Sequence, residues 1–139
     1  MANRHDVIIW DADIYGAPDD YDLQTLAKAQ TLIQQPSAEA SKKLLTFAHD
    51  VEQQGKSNDL PPVIARYLTN FEARVKTANT TAYCFNLPEY NWHTLVKILL
   101  KSAQKHGLVL LGEELVLLLL PNGLITPQHS ENYWLPILE

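Results

Sequence analysis

The chain has 139 residues, the length of one domain, and its 46% hydrophobic and 19% charged content is that of a globular protein rather than a disordered one. Its net charge of −5 lies wholly in residues 1–22, where six aspartates are set against Arg4 alone, while residues 23–139 balance ten acidic against ten basic side chains. Such a chain has no basic footprint for coating DNA or RNA and no basic helix for lying on a membrane, so the acidic segment is left with a basic partner, a cation, or no role.

Residues 6–11, DVIIWD, read as a buried strand: four apolar residues, mostly β-branched or aromatic, run into a turn-rich segment. That segment, residues 12–20, is punctuated by Gly16 and Pro18. A helix is predicted over residues 21–35, with Leu23, Leu26, Ala27 and Ile33 inward, Asp20 or Asp22 as its cap, and Pro36 as its stop. Ser37 caps a second helix over residues 38–54, whose inward stripe is Leu44, Phe47, Ala48 and Val51, with Gly55 as the residue that ends it. Pro61 and Pro62 open a third helical segment, in which Ile64, Tyr67, Leu68, Phe71 and Val75 hold one amphipathic pattern throughout.

Residues 80–87 read as a strand with Thr81, Tyr83, Phe85 and Leu87 on one face, closed by Pro88. A fourth helix over residues 91–106 turns Trp92, Leu95, Val96, Leu99 and Ala103 inward and stops at Gly107. Lys97, Lys101 and Lys105 form its solvated outer stripe. Two short apolar runs, residues 108–111 and 115–120, are joined by Gly112, Glu113 and Glu114 in the manner of a hairpin, and residues 124–126 offer a further short strand after a Pro-Asn-Gly turn. The second run is apolar at every position, which places it mid-sheet with both faces covered. Residues 129–139 read as an irregular tail whose Tyr133, Trp134, Leu135, Ile137 and Leu138 dock on the body or on a partner. The order β-α-α-α-β-α-β-β predicts an α+β fold over residues 1–139: a single-domain two-layer sandwich, with a mixed or antiparallel sheet of four or five strands packed against about four helices.

The N-terminal apolar run, residues 7–10, is too short for a secretory signal, and the longest apolar run, six residues, is too short for a membrane span. Cys84 is alone, so neither an internal disulfide nor a zinc-type cysteine cluster is expected, and a cytoplasmic location fits. The five histidines lie far apart, with no pair four residues apart on one helix, and neither a nucleophile elbow nor a glycine-rich phosphate loop occurs. Hence no metal or cofactor is expected.

Asp11-Ala12-Asp13 follows an apolar strand, and this resembles the first motif of haloacid-dehalogenase-type phosphatases, in which one carboxylate attacks phosphorus and the second handles the proton beside a magnesium ion. The rest of that motif set is missing, because Glu113-Glu114, the only acidic pair after a later strand, reads better as a hairpin turn.

The chain also resembles small bacterial immunity-type proteins, the cytosolic partners that neutralise polymorphic or contact-dependent growth-inhibition toxins. The residues that carry the likeness are DVIIWD, the early Ala17-Pro18-Asp19 loop, the strand TTAYCFNLP, the helix end AQKHGLV at residues 103–109 and the hairpin GEELVLLLLP. The resemblance implies a non-enzymatic protein that binds the C-terminal domain of a toxin, in many such systems a nuclease, and masks its active site. Asp11, Asp13, Tyr15, Asp19, Asp20, Tyr21 and Asp22 are then the expected partner-binding residues, because carboxylates interleaved with aromatics combine charge steering with desolvated contact. The alternatives are a small Mg-dependent phosphatase using Asp11 and Asp13, or an α+β interaction domain with another partner. Oligomeric state is left open by the sequence.

Overall fold

The computed structural model describes residues 7–34, 42–57, 59–78, 82–113 and 115–138. The expected cap at Ser37, the stop at Pro36, the strand residues Asp6, Thr80 and Thr81, and the loop residue Glu114 lie outside them.

In chain order the elements are β1 (Val7–Trp10), α1 (Ala12–Tyr15), α2 (Leu23–Gln34), α3 (Lys42–Gln54), α4 (Pro62–Tyr67), α5 (Phe71–Ala78), β2 (Ala82–Phe85), α6 (Trp92–Lys105), β3 (Val109–Gly112), β4 (Leu117–Leu119), β5 (Ile125–Thr126) and α7 (Gln128–Leu138). The strands form one antiparallel sheet in the order β2-β1-β3-β4-β5. This is the α+β class and, in outline, the element order that the sequence predicts. β1 is paired on both sides: Ile9 stands opposite Tyr83 of β2 and Leu110 of β3. All four of its residues are buried, which is why its sequence is apolar without alternation.

Side chains alternate across the pleat and divide the core in two. Val7, Ile9, Leu110, Leu117 and Leu119 face a large cluster supplied by α3, α4, α5, α6 and α7, including Phe47, Phe71, Leu95, Leu99 and Trp134. Ile8, Trp10, Val109, Leu111 and Leu118 face the other way and meet Ala29 and Leu32 of α2. The sheet is therefore covered on both faces, and α2 adds a layer to the two that the sequence predicts.

Several local expectations change. The inward face of α2 is Thr25, Ala29 and Leu32, not Leu23 and Ala27; Leu23, the first residue of the helix, is 83% exposed. The third helical segment breaks into α4 and α5 at Asn70, whose φ of 58° is a left-handed conformation that asparagine tolerates better than most residues. Ile64, Leu68, Phe71 and Val75 are nonetheless all buried, so the apolar period runs straight through the break. Gly55 has no left-handed φ; a Cβ there would meet the Leu68 Cβ at 2.6 Å, so its role is close approach between the end of α3 and the end of α4. Gly107 does adopt a positive φ, of 68°, and the Leu108 N–H donates to the Ala103 carbonyl (3.0 Å), closing α6 with a Schellman-type cap. The β3–β4 hairpin differs from the prediction, since Gly112 belongs to β3, while Glu113, Leu115 and Val116 lie in the turn. The stretch expected to be an irregular tail is helical: α7 buries Ser130, Trp134 and Leu138 at four-residue spacing, despite Pro136 near its end.

Candidate functional site

The acidic segment connects the end of β1 to the start of α2, and most of its carboxylates organise the backbone there. Asp11 is 5% exposed, and its Oδ1 accepts the Asp13 N–H at 2.9 Å, which makes it the N-cap of α1. Asp22 caps α2: its Oδ1 accepts the Thr25 N–H (2.9 Å), while its carbonyl accepts the first helical N–H, that of Leu26 (3.1 Å). Asp20 holds the loop to the far edge of the sheet, because its Oδ1 accepts both the Tyr21 N–H (2.8 Å) and the Thr126 hydroxyl (2.6 Å) from β5. The Thr126 hydroxyl, with help from the Tyr21 N–H, holds the Asp20 carboxyl below its ordinary value. Tyr21 donates its hydroxyl to the Glu113 carbonyl at 2.9 Å, tying the same loop to the β3–β4 hairpin.

Asp13 points outward and pairs with Lys43 of α3, with Nζ to Oδ2 at 2.7 Å. That hydrogen bond, joined by the charges of Asp13 and Asp11, holds the Lys43 ammonium above its ordinary value. Asp13, Asp19, Asp20 and Asp22 are exposed, Tyr21 is half-buried, and Leu23 stands out beside them; Tyr15 lies in α1, with its side chain outside the described residues. The structure thus brings Asp19, Asp20, Tyr21 and Asp22 together on one braced loop. Asp11 is turned inward and Asp13 is engaged by a lysine.

A feature with no counterpart in the sequence reading adjoins this segment. Asp11, Asp13, Lys42, Lys43, Thr46, Lys105 and His106 line a cleft of about 560 Å³ between the end of β1, the first turns of α3 and the end of α6. Lys105, read from the sequence as part of a solvated stripe, belongs to its wall. Beside it the His106 Nε2 lies 3.2 Å from the Asp50 Oδ2, and the Lys105 Nζ lies 3.6 Å from the same oxygen, so Asp50 ties α3 to the end of α6. The only sequence signal for this convergence was the helix-end position of His106.

A threonine and lysines do stand near Asp11 and Asp13, but they come from helices α3 and α6. The exposed Glu113 lies on the β3–β4 turn, where its carbonyl holds Tyr21. Among the described residues no group of three or more His, Cys, Asp or Glu side chains is arranged to hold a metal ion, and no helix is long and apolar enough to cross a membrane. Comparison with protein-family models, with curated proteins and with solved structures finds no significant match.

Proposed function

We propose that this chain is a binding protein of the immunity type, which recognises a basic surface on a toxin domain through residues 13–23 and masks that domain's active site. The observation that supports the reading is the bracing of the acidic loop. Asp20, Tyr21 and Asp22 are each fixed by a hydrogen bond to β5, the β3–β4 hairpin or α2, so the exposed carboxylates and Leu23 are held ready before a partner arrives. A loop already ordered pays little conformational entropy on binding, and a local excess of negative charge speeds encounter with a basic cleft. Catalysis plays no part in this function, and it needs no cofactor.

The test is association with the toxin domain encoded beside this chain, followed by stopped-flow or biosensor kinetics at several salt concentrations. Changing Asp13, Asp19 and Asp22 together to asparagine removes three charges while leaving the α2 cap available. The expected result is a fall of about tenfold in association rate and a flatter salt dependence. An unchanged rate and salt slope, or a toxin domain that stays fully active when saturated with this protein, would overturn the reading.

A further inference from the structure

The cleft beside the acidic loop carries an inference of its own, independent of any toxin. Its volume of about 560 Å³ is in the range of small-molecule sites. Asp11, on its wall, is 5% exposed and has only one oxygen engaged: Oδ1 takes the Asp13 N–H, and Oδ2 receives no hydrogen bond from any described residue. Asp11 is thus a largely buried residue on the wall of the cleft with one carboxylate oxygen left to accept a hydrogen bond from a group that enters it.

The other lining residues narrow what that group carries. Lys42 makes no ion pair among the described residues, and the Lys105 ammonium is held only loosely, at 3.6 Å from Asp50. With Lys43, whose Nζ is held by Asp13 at 2.7 Å, three lysine side chains line the cleft beside the carboxylates of Asp11 and Asp13, and Lys42 is the one among them with no carboxylate partner in the described residues. Thr46 donates its own hydroxyl to the Lys42 carbonyl (2.9 Å), which leaves its oxygen free to accept. The cleft therefore offers cations and hydrogen-bond acceptors side by side, a match for a ligand that carries both an anion and a hydroxyl donor. No arginine stands among its described lining residues. Planar carboxylates are best gripped by the arginine fork, whereas lysine acts as a point charge that suits a tetrahedral phosphate.

We propose that this cleft binds a small phosphomonoester bearing a neighbouring hydroxyl group, with the phosphate among Lys42, Lys43 and Lys105 and the hydroxyl donating to Asp11 Oδ2. The probe is ribose 5-phosphate, titrated into the isotope-labelled full chain and followed by amide chemical shifts, with inorganic phosphate and ribose as comparators. Saturable shifts are expected at Asp13, Thr46 and His106, with ribose 5-phosphate binding about tenfold tighter than phosphate, the increment of one charge-assisted hydrogen bond. Asp11→Asn keeps an oxygen for capping α1 but puts an amide donor where Oδ2 accepts, so it should bring ribose 5-phosphate down to the affinity of phosphate. Lys42→Gln, at an exposed position, should weaken both ligands several-fold. The proposal is overturned if ribose 5-phosphate gives no saturable shifts at these amides by roughly 10 mM. Equal affinities for ribose 5-phosphate and phosphate, or an Asp11→Asn protein that still prefers the sugar phosphate, would overturn it as well. None of these outcomes bears on toxin binding, and a failed toxin assay leaves them all in place.

Discussion

Replacing Asp22 separates two roles that one carboxylate combines. Its Oδ1 satisfies the Thr25 N–H at 2.9 Å, and its charge sits at the positive end of α2. Asp22→Ala removes both, and loss of an N-cap costs about 1 kcal/mol. In a chain of 139 residues that corresponds to a fall in Tm of about 3–4 °C. The effect should be felt locally first, because Ala29 and Leu32 of α2 cover Trp10 and its neighbours on their face of the sheet. Asp22→Asn keeps a capping oxygen and forfeits only the helix-dipole interaction, about 0.5 kcal/mol, so its Tm should fall by only about 1–2 °C. Both substitutions remove the same charge from the loop proposed to meet a toxin, and on that proposal they should slow association equally. Thermal melts by circular dichroism, run beside association kinetics, give both readouts. If Asp22→Ala melts with the native protein, or Asp22→Asn loses as much stability as Asp22→Ala, the capping role is wrong.

Thr126→Val deletes the hydroxyl that Asp20 accepts at 2.6 Å, so the Asp20 carboxyl should titrate closer to its ordinary value of 3.8, as read from its side-chain carbon shift. Because folding lowers this pKa, the carboxylate's stabilising contribution is present above the unfolded value and fades as pH falls through the folded one. The stability gap between native protein and variant should therefore be widest at neutral pH and narrow in strong acid; a gap that stays constant with pH would show that the hydroxyl does not act through the ionised carboxylate. Gly55→Ala places a Cβ 2.6 Å from the Leu68 Cβ and should cost about 1–3 kcal/mol in urea unfolding. A neutral result would mean that α3 and the end of α4 move apart freely.

The sheet was legible in the sequence because β1, β3 and β4 are continuous apolar runs and need no partner to be recognised. The inward faces of α3 and α6 followed from helical spacing for the same reason. Legibility failed where one pattern had two solutions. The apolar period from Ile64 to Val75 is the same whether the helix continues or breaks, and only the left-handed turn at Asn70 decides. Residues 129–139 read as an irregular tail, whereas burial of Trp134 and Leu138 holds residues 129–138 in the helix α7, with Pro136 near its end. The aspartates at 20 and 22 carried a readable capping signal, whereas the pairing of Asp13 with Lys43 did not, since it joins residues 30 apart. The cleft was invisible for that reason too: its walls come from positions 11–13, 42–46 and 105–106, and no local rule connects them.

The interior position of β1, paired on both sides, has a consequence for biosynthesis. Its neighbours are β2, from residue 82, and β3, from residue 109, so β1 leaves the ribosome well before either of its partners. At elongation rates of about 5–20 residues per second, the Val-Ile-Ile-Trp stretch waits roughly 5–20 s with two open hydrogen-bonding edges. During that interval its open edges are exposed to wrong pairing, and they offer a point of engagement for chaperones that hold extended apolar peptides.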